Sequence, residues 1–532
     1  MGETTGRRVR TIKRVFPTGR PQNATVTLLS IADATVARFS TCGAIWFYDK
    51  KDGLDANNHW VFERLESALS TTLDSYPHYA GQLQWATKQH VEESSNPRYI
   101  GRPLTAFGSP DDPGVELVIV DDDRELSAIV PSIEERSTSK RIWNASNLGQ
   151  SDFLPGTKLA FSNLAEYMGL PGVAAQLTAF KCGGFAVSLV LTHCLSDATS
   201  LLRFVHSWAD KSRHLFHDGD ADTQTTKTST SKVLFSPRML DAYAHLDPQR
   251  TGPDIERISR ARALPMHRFD WWAKDAPGYP SWATPSSNAT KPAPIELLET
   301  RLSPSTDPPW PTWDLGAAVD HLQIRFSRAE VESMKAAGMA TAPDQTISRQ
   351  DALLAHLWIL VNRARQLGNQ QDPVYMNITL GLRNRVSPPL PDDFVGSPLL
   401  LGYVEKPGAE VATATIGATA SSIRKMLSQF TPQAVSDYLY DAAHEVSPQR
   451  LWQGFLGSQH VLVTSWARAQ AYEVGFCGTG LARYVQTQMP LMDGLLQLMD
   501  VGETGDFDVS LALEKGAMER LIGDPMLRAY KK

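Results

Sequence analysis

His193 stands where a buried strand is predicted to give way to a helix. The residues before it, Ala186–Thr192, carry no charge and are mostly Val and Leu, which is typical of a buried strand. After it, apolar residues from Leu201 to Trp208 recur at i, i+3, i+4 and i+7, on one face of a helix. An imidazole at such a junction could act as a general base. It could also be a structural histidine that binds a backbone carbonyl.

Two neighbours of His193 have groups that could take part in its chemistry. Cys194 could be a nucleophile with His193 as its base, but adjacent side chains on an extended strand diverge, which favours a buried, inert thiol. Asp197 could orient His193, cap the following helix or pair with an arginine. A carboxylate at a strand-to-helix corner is usually architectural, so we favour the cap or the arginine. Arg383 and Arg385 flank the end of a later predicted strand; they could bind anions, or one could pair with Asp197.

Two other segments could bind an anion. Ser348 and Arg349 open the predicted helix 346–366, and the free N–H groups of a helix start favour a phosphate. The spacing of Ser348 and Asp351 is that of a capping box, so an ordinary helix cap is the alternative. The glycine-rich segment 475–480 has the look of a nucleotide loop, but neither a helix nor Lys-Ser/Thr follows it. A tight structural turn is the better prediction there.

Composition narrows the classes of protein to which this chain can belong. Its 532 residues are 42% hydrophobic and 21% charged, as in an ordinary globular protein. The net charge of -6 argues against nucleic acid as a partner. The scattered cysteines form no CxxC pair, which suggests neither a disulfide framework nor a thiolate zinc site. No apolar run approaches the ~20 residues of a membrane span, and the N-terminus lacks the hydrophobic core of a signal peptide. We therefore expect a cytoplasmic protein. A monomer is a separate expectation.

The order of the predicted elements indicates an α/β chain with mixed sheets. Strands and helices are interspersed through both halves of the sequence. Residues 217–232 contain almost nothing that could be buried, so they are predicted to link a domain of residues 1–216 to one of residues 233–532. The segment 266–318 is rich in Pro yet holds several tryptophans, which predicts a long structured loop. That loop could shape a ligand pocket or pack on the surface.

Taken together, these motifs resemble the BAHD acyltransferase family, in its fungal, trichothecene-acetyltransferase-like branch. His193 to Asp197 matches the family's HxxxD motif, and further matches in the family's order occur at Tyr76–Gly81, Phe180–Gly184, Gly381–Arg385, Pro388–Pro391 and Phe394–Ser397. Two positions depart from the pattern: Ala198 replaces the usual glycine, and segment 475–480 keeps only part of the DFGWG signature. Thr192 stands where peptide-synthetase condensation domains, which share the fold, have a second histidine.

The resemblance implies two chloramphenicol-acetyltransferase-like domains with a channel between them. Acyl-CoA would be the cosubstrate, a hydrophobic small molecule would be the acceptor, and no metal would be used. His193 would take a proton from the acceptor hydroxyl or amine, and no acyl-enzyme would form. Asp197 would pair with Arg383 and hold the corner so that His193 faces the channel.

The same resemblance assigns roles to residues of the second half. Ser348 and Arg349 would face CoA, and the oxyanion formed on the thioester would lie near Thr464, Ser465 and Trp466. The two departures from the family pattern keep a second hypothesis open. The fold could instead serve a CoA-independent cyclisation or condensation, or a binding protein without catalysis.

Overall fold

The computed structural model of the protein describes residues 6–19, 23–37, 41–51, 53–57, 59–92, 101–216, 233–247, 252–290 and 303–531. The predicted linker, 217–232, lies outside the described residues. In chain order the strands are β1 (Arg7–Val15), β2 (Thr25–Leu28), β3 (Thr41–Tyr48), β4 (Gln82–Trp85), β5 (Pro103–Phe107), β6 (Val115–Asp122), β7 (Ile142–Asn144), β8 (Val173–Phe180), β9 (Phe185–Thr192), β10 (Phe269–Asp270), β11 (Val319–Phe326), β12 (Pro373–Gly381), β13 (Leu399–Pro407), β14 (Leu451–Trp452), β15 (His460–Ser465), β16 (Tyr484–Thr487), β17 (Leu495–Val501) and β18 (Asp506–Glu514).

The α-helices of the described residues are α1 (Ile31–Thr35), α2 (His59–Leu73), α3 (Lys88–Glu92), α4 (Leu126–Ile129), α5 (Ile133–Ser137), α6 (Ala198–Phe216), α7 (Pro237–Asp241), α8 (Ile255–Arg262), α9 (Thr284–Thr290), α10 (Arg328–Thr341), α11 (Arg349–Ala364), α12 (Gly408–Thr413), α13 (Ile416–Ser428), α14 (Pro432–His444) and α15 (Lys515–Gly523). None of them is both long enough and apolar enough to span a membrane.

The first large sheet has the strand order β1-β6-β8-β9-β3-β16. Its central strands β8 and β9 are buried along their whole length and pair as an antiparallel hairpin, as their uncharged sequences predict. Helices α2 and α6 pack against each other and share a core with this sheet that includes Trp46, Leu65 and Trp208. His193 follows directly on the last residue of β9, so this sheet sets its position.

The second large sheet has the strand order β13-β12-β15-β17-β18-β11-β7. Helix α11 lies at the centre of the helical layer on one of its faces, with Leu357 and Trp358 fully buried in the core. The apolar face predicted for this helix is confirmed, because its leucines recur with helical spacing and all contact the core.

Each large sheet contains one strand from the other half of the chain. In the first sheet β16 pairs with β3, with Tyr484 opposite Phe47. In the second sheet β7 pairs with β11, with Trp143 opposite Gln323. Neither sheet is therefore built from one sequence half alone. The limits 1–216 and 233–532 stay a prediction as domain boundaries.

The tryptophan-rich segment packs against the second half of the protein. Trp271 and Trp310 are buried in a cluster with Phe269 and Phe455, whereas Trp282 is 53% exposed. Within the described part of 266–318, the prediction of a structured loop is confirmed. The aromatic rings fill their own cluster, which accounts for most of the tryptophans by packing alone.

Asp508 lies at the centre of a buried group of charges that joins α5 to the second sheet. Its carboxylate accepts hydrogen bonds from Arg325 at 2.8 and 3.0 Å, from Arg136 at 2.8 Å and from the Tyr472 hydroxyl at 2.5 Å. Burial raises the pKa of Asp508, but Arg325 and Arg136 outweigh that effect and lower it to about 2. The carboxylate is therefore ionised and serves as the counter-charge of both arginines.

Replacing Asp508 by asparagine should strongly destabilise the protein. Arg136 and Arg325 would stay charged and buried without their counter-charge, which typically costs about 3–5 kcal/mol. Urea unfolding at neutral pH measures the loss. Glu503→Gln removes an exposed carboxylate from the turn before β18 and is the control; it should change the free energy of unfolding by less than about 0.5 kcal/mol. Equal stability of Asp508→Asn and the wild type would contradict the role given to the ion group.

Candidate active site

The corner between β9 and α6 places His193 in a single 3-10 turn. β9 ends at Thr192, the turn spans His193–Leu195, and α6 begins at Ala198. The Ser196 N–H donates to the His193 carbonyl at 3.2 Å and closes the turn. The strand-to-helix junction predicted around His193 is confirmed.

Asp197 connects this corner to the segment that follows β12. Arg383 donates to both of its carboxylate oxygens, at 2.5 and 3.1 Å, and both side chains are mostly buried. The carboxylate also accepts the Ser200 N–H at 2.9 Å, so it caps α6. The Asp197 N–H donates to the Gly396 carbonyl at 3.0 Å. The cap and the arginine partner, which the sequence leaves as alternatives, are present together.

The ring of His193 is half-buried and contacts the protein through Nδ1. Nδ1 lies 3.1 Å from Oγ of Ser397, a fully buried residue just before β13. Burial lowers the pKa of His193, while a hydrogen bond to its own backbone carbonyl and the charge of Asp197 act in the opposite direction. A lowered pKa keeps the imidazole neutral near pH 7, and the neutral form is the one that accepts a proton.

Asp33 binds the backbone of Ser397. One of its carboxylate oxygens accepts the Ser397 N–H at 2.6 Å. The other accepts the N–H and the hydroxyl of Ser30 at 2.9 and 2.6 Å, in the capping box of α1. Burial raises the pKa of Asp33 to about 6, and the nearby Asp241 adds to the rise. A buried carboxylate thus fixes the residue that touches the ring of His193.

Cys194 is a core residue. It is fully buried among the apolar side chains that pack around α6. Burial raises the pKa of its thiol well above the ordinary value, and the charge of Asp33 raises it further. Because the thiolate is the reactive form, a thiol in this setting is inert. The prediction of a buried thiol is confirmed.

The start of α11 is closed by its own side chains. The Asp351 N–H donates to Oγ of Ser348 at 3.1 Å, and the Ser348 N–H donates to Asp351 at 2.8 Å, so the predicted capping box is confirmed. Arg349, 37% exposed, donates to the Gly505 carbonyl at 3.3 Å and lies 3.7 Å from the carboxylate of Glu332. The guanidinium group is therefore at the surface, beside the capped helix start.

Thr464, Ser465 and Trp466 do not share one surface. The Ser465 hydroxyl accepts the side-chain amide of Gln350 at 2.9 Å, on the side of the second sheet that α11 covers. Thr464 of β15 lies opposite Gln497 of β17. Because side chains alternate along a strand, Thr464 points to the face of the sheet that α11 does not cover. Trp466 follows β15 and is buried in the core around α6. Of the three, only Thr464 stays a candidate to contact an oxyanion.

The segment 475–480 is a tight turn packed on α6. The ring of Phe476 contacts that of Trp208 with centroids 4.9 Å apart, and the Cys477 N–H donates to Oγ of Ser212 at 2.9 Å. Cys477 itself adopts a left-handed backbone with φ 55°. The prediction of a structural turn is confirmed, and the contacts show that this remnant of DFGWG supports the helix that follows His193.

Comparison with known proteins assigns the chain to a family. A model of the Transferase family matches residues 8–98, 151–262 and 305–526. The chain belongs to this family, the BAHD acyltransferases. Acyltransferase AFT15-1 of Alternaria alternata is 26% identical over 501 residues, which cover 91% of this chain and 90% of that protein. Acyltransferase abl6 of Leptosphaeria maculans is 27% identical over 454 residues, covering 85% and 82% respectively.

Solved BAHD structures share the fold. TRI101 of F. graminearum, in complex with coenzyme A and T-2 mycotoxin, superimposes with a TM-score of 0.66 at 16% identity over 94% of this chain and 98% of that one. Vinorine synthase superimposes with a TM-score of 0.57 at 15% identity over 97% of this chain and 96% of that one. The expected α/β architecture of two acyltransferase-like domains is confirmed.

Ser397 and Asp33, which lie beside the His193 corner, were not among the site residues predicted from sequence. Ser397 belongs to the matched motif Phe394–Ser397, and Asp33 belongs to no matched motif. The spacing of Ser30 and Asp33 is that of a capping box, which could have indicated the start of α1. Nothing local indicates that Asp33 meets Ser397, because the two are 364 positions apart.

Asp33→Asn should change how the stability of the protein depends on pH. Because the folded pKa of about 6 exceeds the ordinary value of 3.8, the contribution of Asp33 to stability is present below pH 3.8 and is lost as the pH rises through about 6. Between pH 5 and 8 the wild type should lose about 1–2 kcal/mol more unfolding free energy than the variant. Urea unfolding at both pH values measures the difference.

Glu135→Gln is the matched control for this experiment. Glu135 forms the same kind of capping box on α5, but Lys140 and the Ser132 N–H lower its pKa to about 2, so it stays ionised throughout the range. The control should keep the pH dependence of the wild type. An Asp33 variant that also kept it would show that the carboxylate does not titrate as described.

Proposed function

We propose that this chain transfers an acyl group from acyl-CoA to a hydroxyl, or an amine, of a hydrophobic secondary metabolite, with His193 as the general base. The observation on which the proposal rests is the setting of His193: a neutral imidazole held through Nδ1 at a corner that Asp197 and Arg383 brace. The relatives named acyltransferases support the reaction class, and the TRI101 complex with coenzyme A and a mycotoxin supports the two substrate classes. The expectations of a monomer and of a cytoplasmic location belong to the same proposal.

The reaction that fits this setting is direct transfer. Nε2 of His193 takes the proton of the acceptor hydroxyl while its oxygen attacks the thioester carbon, so a C–O bond forms and the carbonyl becomes an oxyanion. When the intermediate collapses, the C–S bond breaks, and the CoA thiolate receives the proton back from His193. The protonated, buried thiol of Cys194 supports a route without an acyl-enzyme.

The oxyanion of this intermediate needs a hydrogen-bond donor. We assign that role to the hydroxyl of Thr464. Ser465 binds Gln350 on the helical side of the sheet, and the ring of Trp466 is packed in the core.

CoA is proposed to bind beside the start of α11 through its phosphates. Arg349 and Arg328 lie together around Gly505: a Cβ built on that glycine would be 3.1 Å from Nη1 of Arg349 and 3.0 Å from Cδ of Arg328. Ser327 and Ser348 cap the two helices that begin here. Two guanidinium groups at neighbouring helix starts favour a phosphate group.

His193→Ala should lower kcat by about 10²- to 10⁴-fold, because proton transfer by a positioned base contributes that much. The measurement is product formation from acetyl-CoA and longer acyl-CoAs with candidate acceptors. His214→Ala, an exposed histidine near the end of α6, is the control and should keep full activity. Near-normal turnover of a folded His193→Ala variant would end the base role.

CoA should raise the melting temperature of the protein in a saturable way, because a ligand that binds only the folded state stabilises it. Arg349→Ala should weaken this binding by about 5- to 20-fold through loss of a charge-assisted phosphate contact. Arg363→Ala, on the far end of α11 and paired with Asp524, is the control and should bind CoA as the wild type does. No stabilisation by CoA or any acyl-CoA would favour the CoA-independent or binding-protein hypothesis.

A further inference from the structure

Ser397 touches the ring of His193 on the nitrogen opposite to the one that the proposed reaction uses. Its Oγ lies 3.1 Å from Nδ1, and the serine is fully buried, so the hydroxyl has a fixed place beside the ring. The contact joins residues 204 positions apart, from the turn after β9 and the segment before β13. It is therefore a property of the folded protein, and a catalytic role for it rests on the proposed function of His193 as the general base.

The hydrogen of the neutral imidazole can be placed from the groups around Nδ1. The ring forms a hydrogen bond with the carbonyl of His193 itself. A carbonyl oxygen only accepts, and the covalent structure of histidine puts Nδ1 closer than Nε2 to its own backbone, so we assign the donor to Nδ1. Nδ1 then holds the hydrogen, which Oγ of Ser397 can share as a second acceptor. Nε2 is left with the lone pair that a general base needs.

The backbone of Ser397 is held independently of the ring. Its N–H donates to Asp33 at 2.6 Å, and Asp33 is fixed by the capping box of α1. Its neighbour Gly396 bonds in both directions with Ser200, through the N–H at 3.1 Å and the carbonyl at 2.9 Å. The hydroxyl is thus positioned from α1 on one side and from α6 on the other, which is the support that a well-placed polar group requires.

We propose that Ser397 is a positioning residue for His193, whose hydroxyl holds Nδ1 as the protonated nitrogen and stabilises the imidazolium formed at proton transfer. The ring enters the reaction neutral, and proton uptake at Nε2 makes the Nδ1–H a stronger donor. A hydrogen bond to a charged donor is worth more than one to a neutral donor. Ser397 therefore contributes more to the transition state than to the resting enzyme.

Several titratable and charged groups surround this corner, and the experiment has to separate them from Ser397. They are Asp33, Cys42, Tyr79, Cys194, Asp197 and Arg383. Burial raises the pKa of both thiols and of the tyrosine, so these groups stay protonated. Asp33, with a pKa of about 6, titrates in the range of a histidine. Its contribution to a pH profile is removed in Asp33→Asn.

The first test is the kinetics of Ser397→Ala with acyl-CoA and an accepted acceptor. Loss of one hydrogen bond to a charged group should lower kcat by about 10- to 100-fold, with KM for acyl-CoA unchanged. The imidazolium loses an acceptor, so the pKa of His193 falls and the acidic limb of kcat/KM against pH moves to lower pH. The same move should appear when Ser397→Ala is made in the Asp33→Asn background. Ser397→Thr, which keeps the hydroxyl, should restore the wild-type profile.

The matched control is Ser196→Ala. Ser196 is equally buried at the same corner, but its hydroxyl donates to the Asp197 carbonyl at 3.0 Å. It should keep the pH profile of the wild type. A fall in kcat of Ser397→Ala without any shift of the acidic limb would assign Ser397 a purely structural role and overturn the proposal.

The second test reads the tautomer directly and needs no change at Ser397. In protein labelled with ¹⁵N-histidine, the signals lost in His193→Gln identify His193, and its nitrogen shifts should show hydrogen on Nδ1. Hydrogen on Nε2 would overturn the proposal. An active His193→Ala would instead refute the proposed function itself, whereas an inactive His193→Ala beside an unaffected Ser397→Ala would refute only the role of Ser397.

Discussion

The corner that holds His193 depends on the hydrogen bonds and the ion pair of the Asp197 carboxylate. One oxygen caps α6 through the Ser200 N–H, and both oxygens bind the guanidinium of Arg383 from the other half of the chain. A mostly buried carboxylate is costly unless its hydrogen bonds are complete, and here a fixed fork of donors and a helix N-terminus complete them. Because α6 starts where this carboxylate places it, the turn that contains His193 has little freedom. In the proposed function, the motif HxxxD is therefore a general base followed by the carboxylate that holds its turn in place.

Burial shifts the pKa values of His193 and Cys194, which lie in the turn before Asp197, in opposite directions. For His193 burial lowers the pKa and favours the neutral imidazole, but it also disfavours the cation that the proposed proton transfer would create. Groups that stabilise an imidazolium, such as Asp197 and an acceptor on Nδ1, offset that penalty. For Cys194 burial raises the pKa, so the thiol stays protonated and unreactive. The same loss of water thus favours the uncharged form of both side chains, which leaves His193 able to accept a proton and Cys194 unreactive.

The two large sheets depend on each other in a similar way. β7 and β16 complete sheets that belong to the opposite sequence halves. Arg136, on α5 of the first half, has its counter-charge at Asp508 in the second sheet. Charges buried between elements so distant in sequence have no partner until both are in place. The corner that holds His193 is likewise a consequence of the assembled fold, because Asp197 and Arg383 come from different halves of the chain. The remnant of DFGWG contributes by packing Phe476 against α6.

Local patterns in the sequence were enough to predict the strand that ends at Thr192, the helix after Asp197, the capping box of Ser348 and the inert thiol of Cys194. Each depends on periodicity or spacing within a few residues, where side-chain direction follows from strand or helix geometry. Local patterns left Arg383 and Arg385 as possible partners of Asp197, and the resemblance to BAHD acyltransferases selected Arg383. Tertiary structure alone decided that Asp33 fixes Ser397, that Ser397 meets Nδ1 of His193, and that Ser465 faces α11 while Thr464 faces away from it. Those contacts join elements that are distant in sequence, and no local pattern encodes their relative positions. These positions result from the packing of the two cores and of the strands that each sheet receives from the other half.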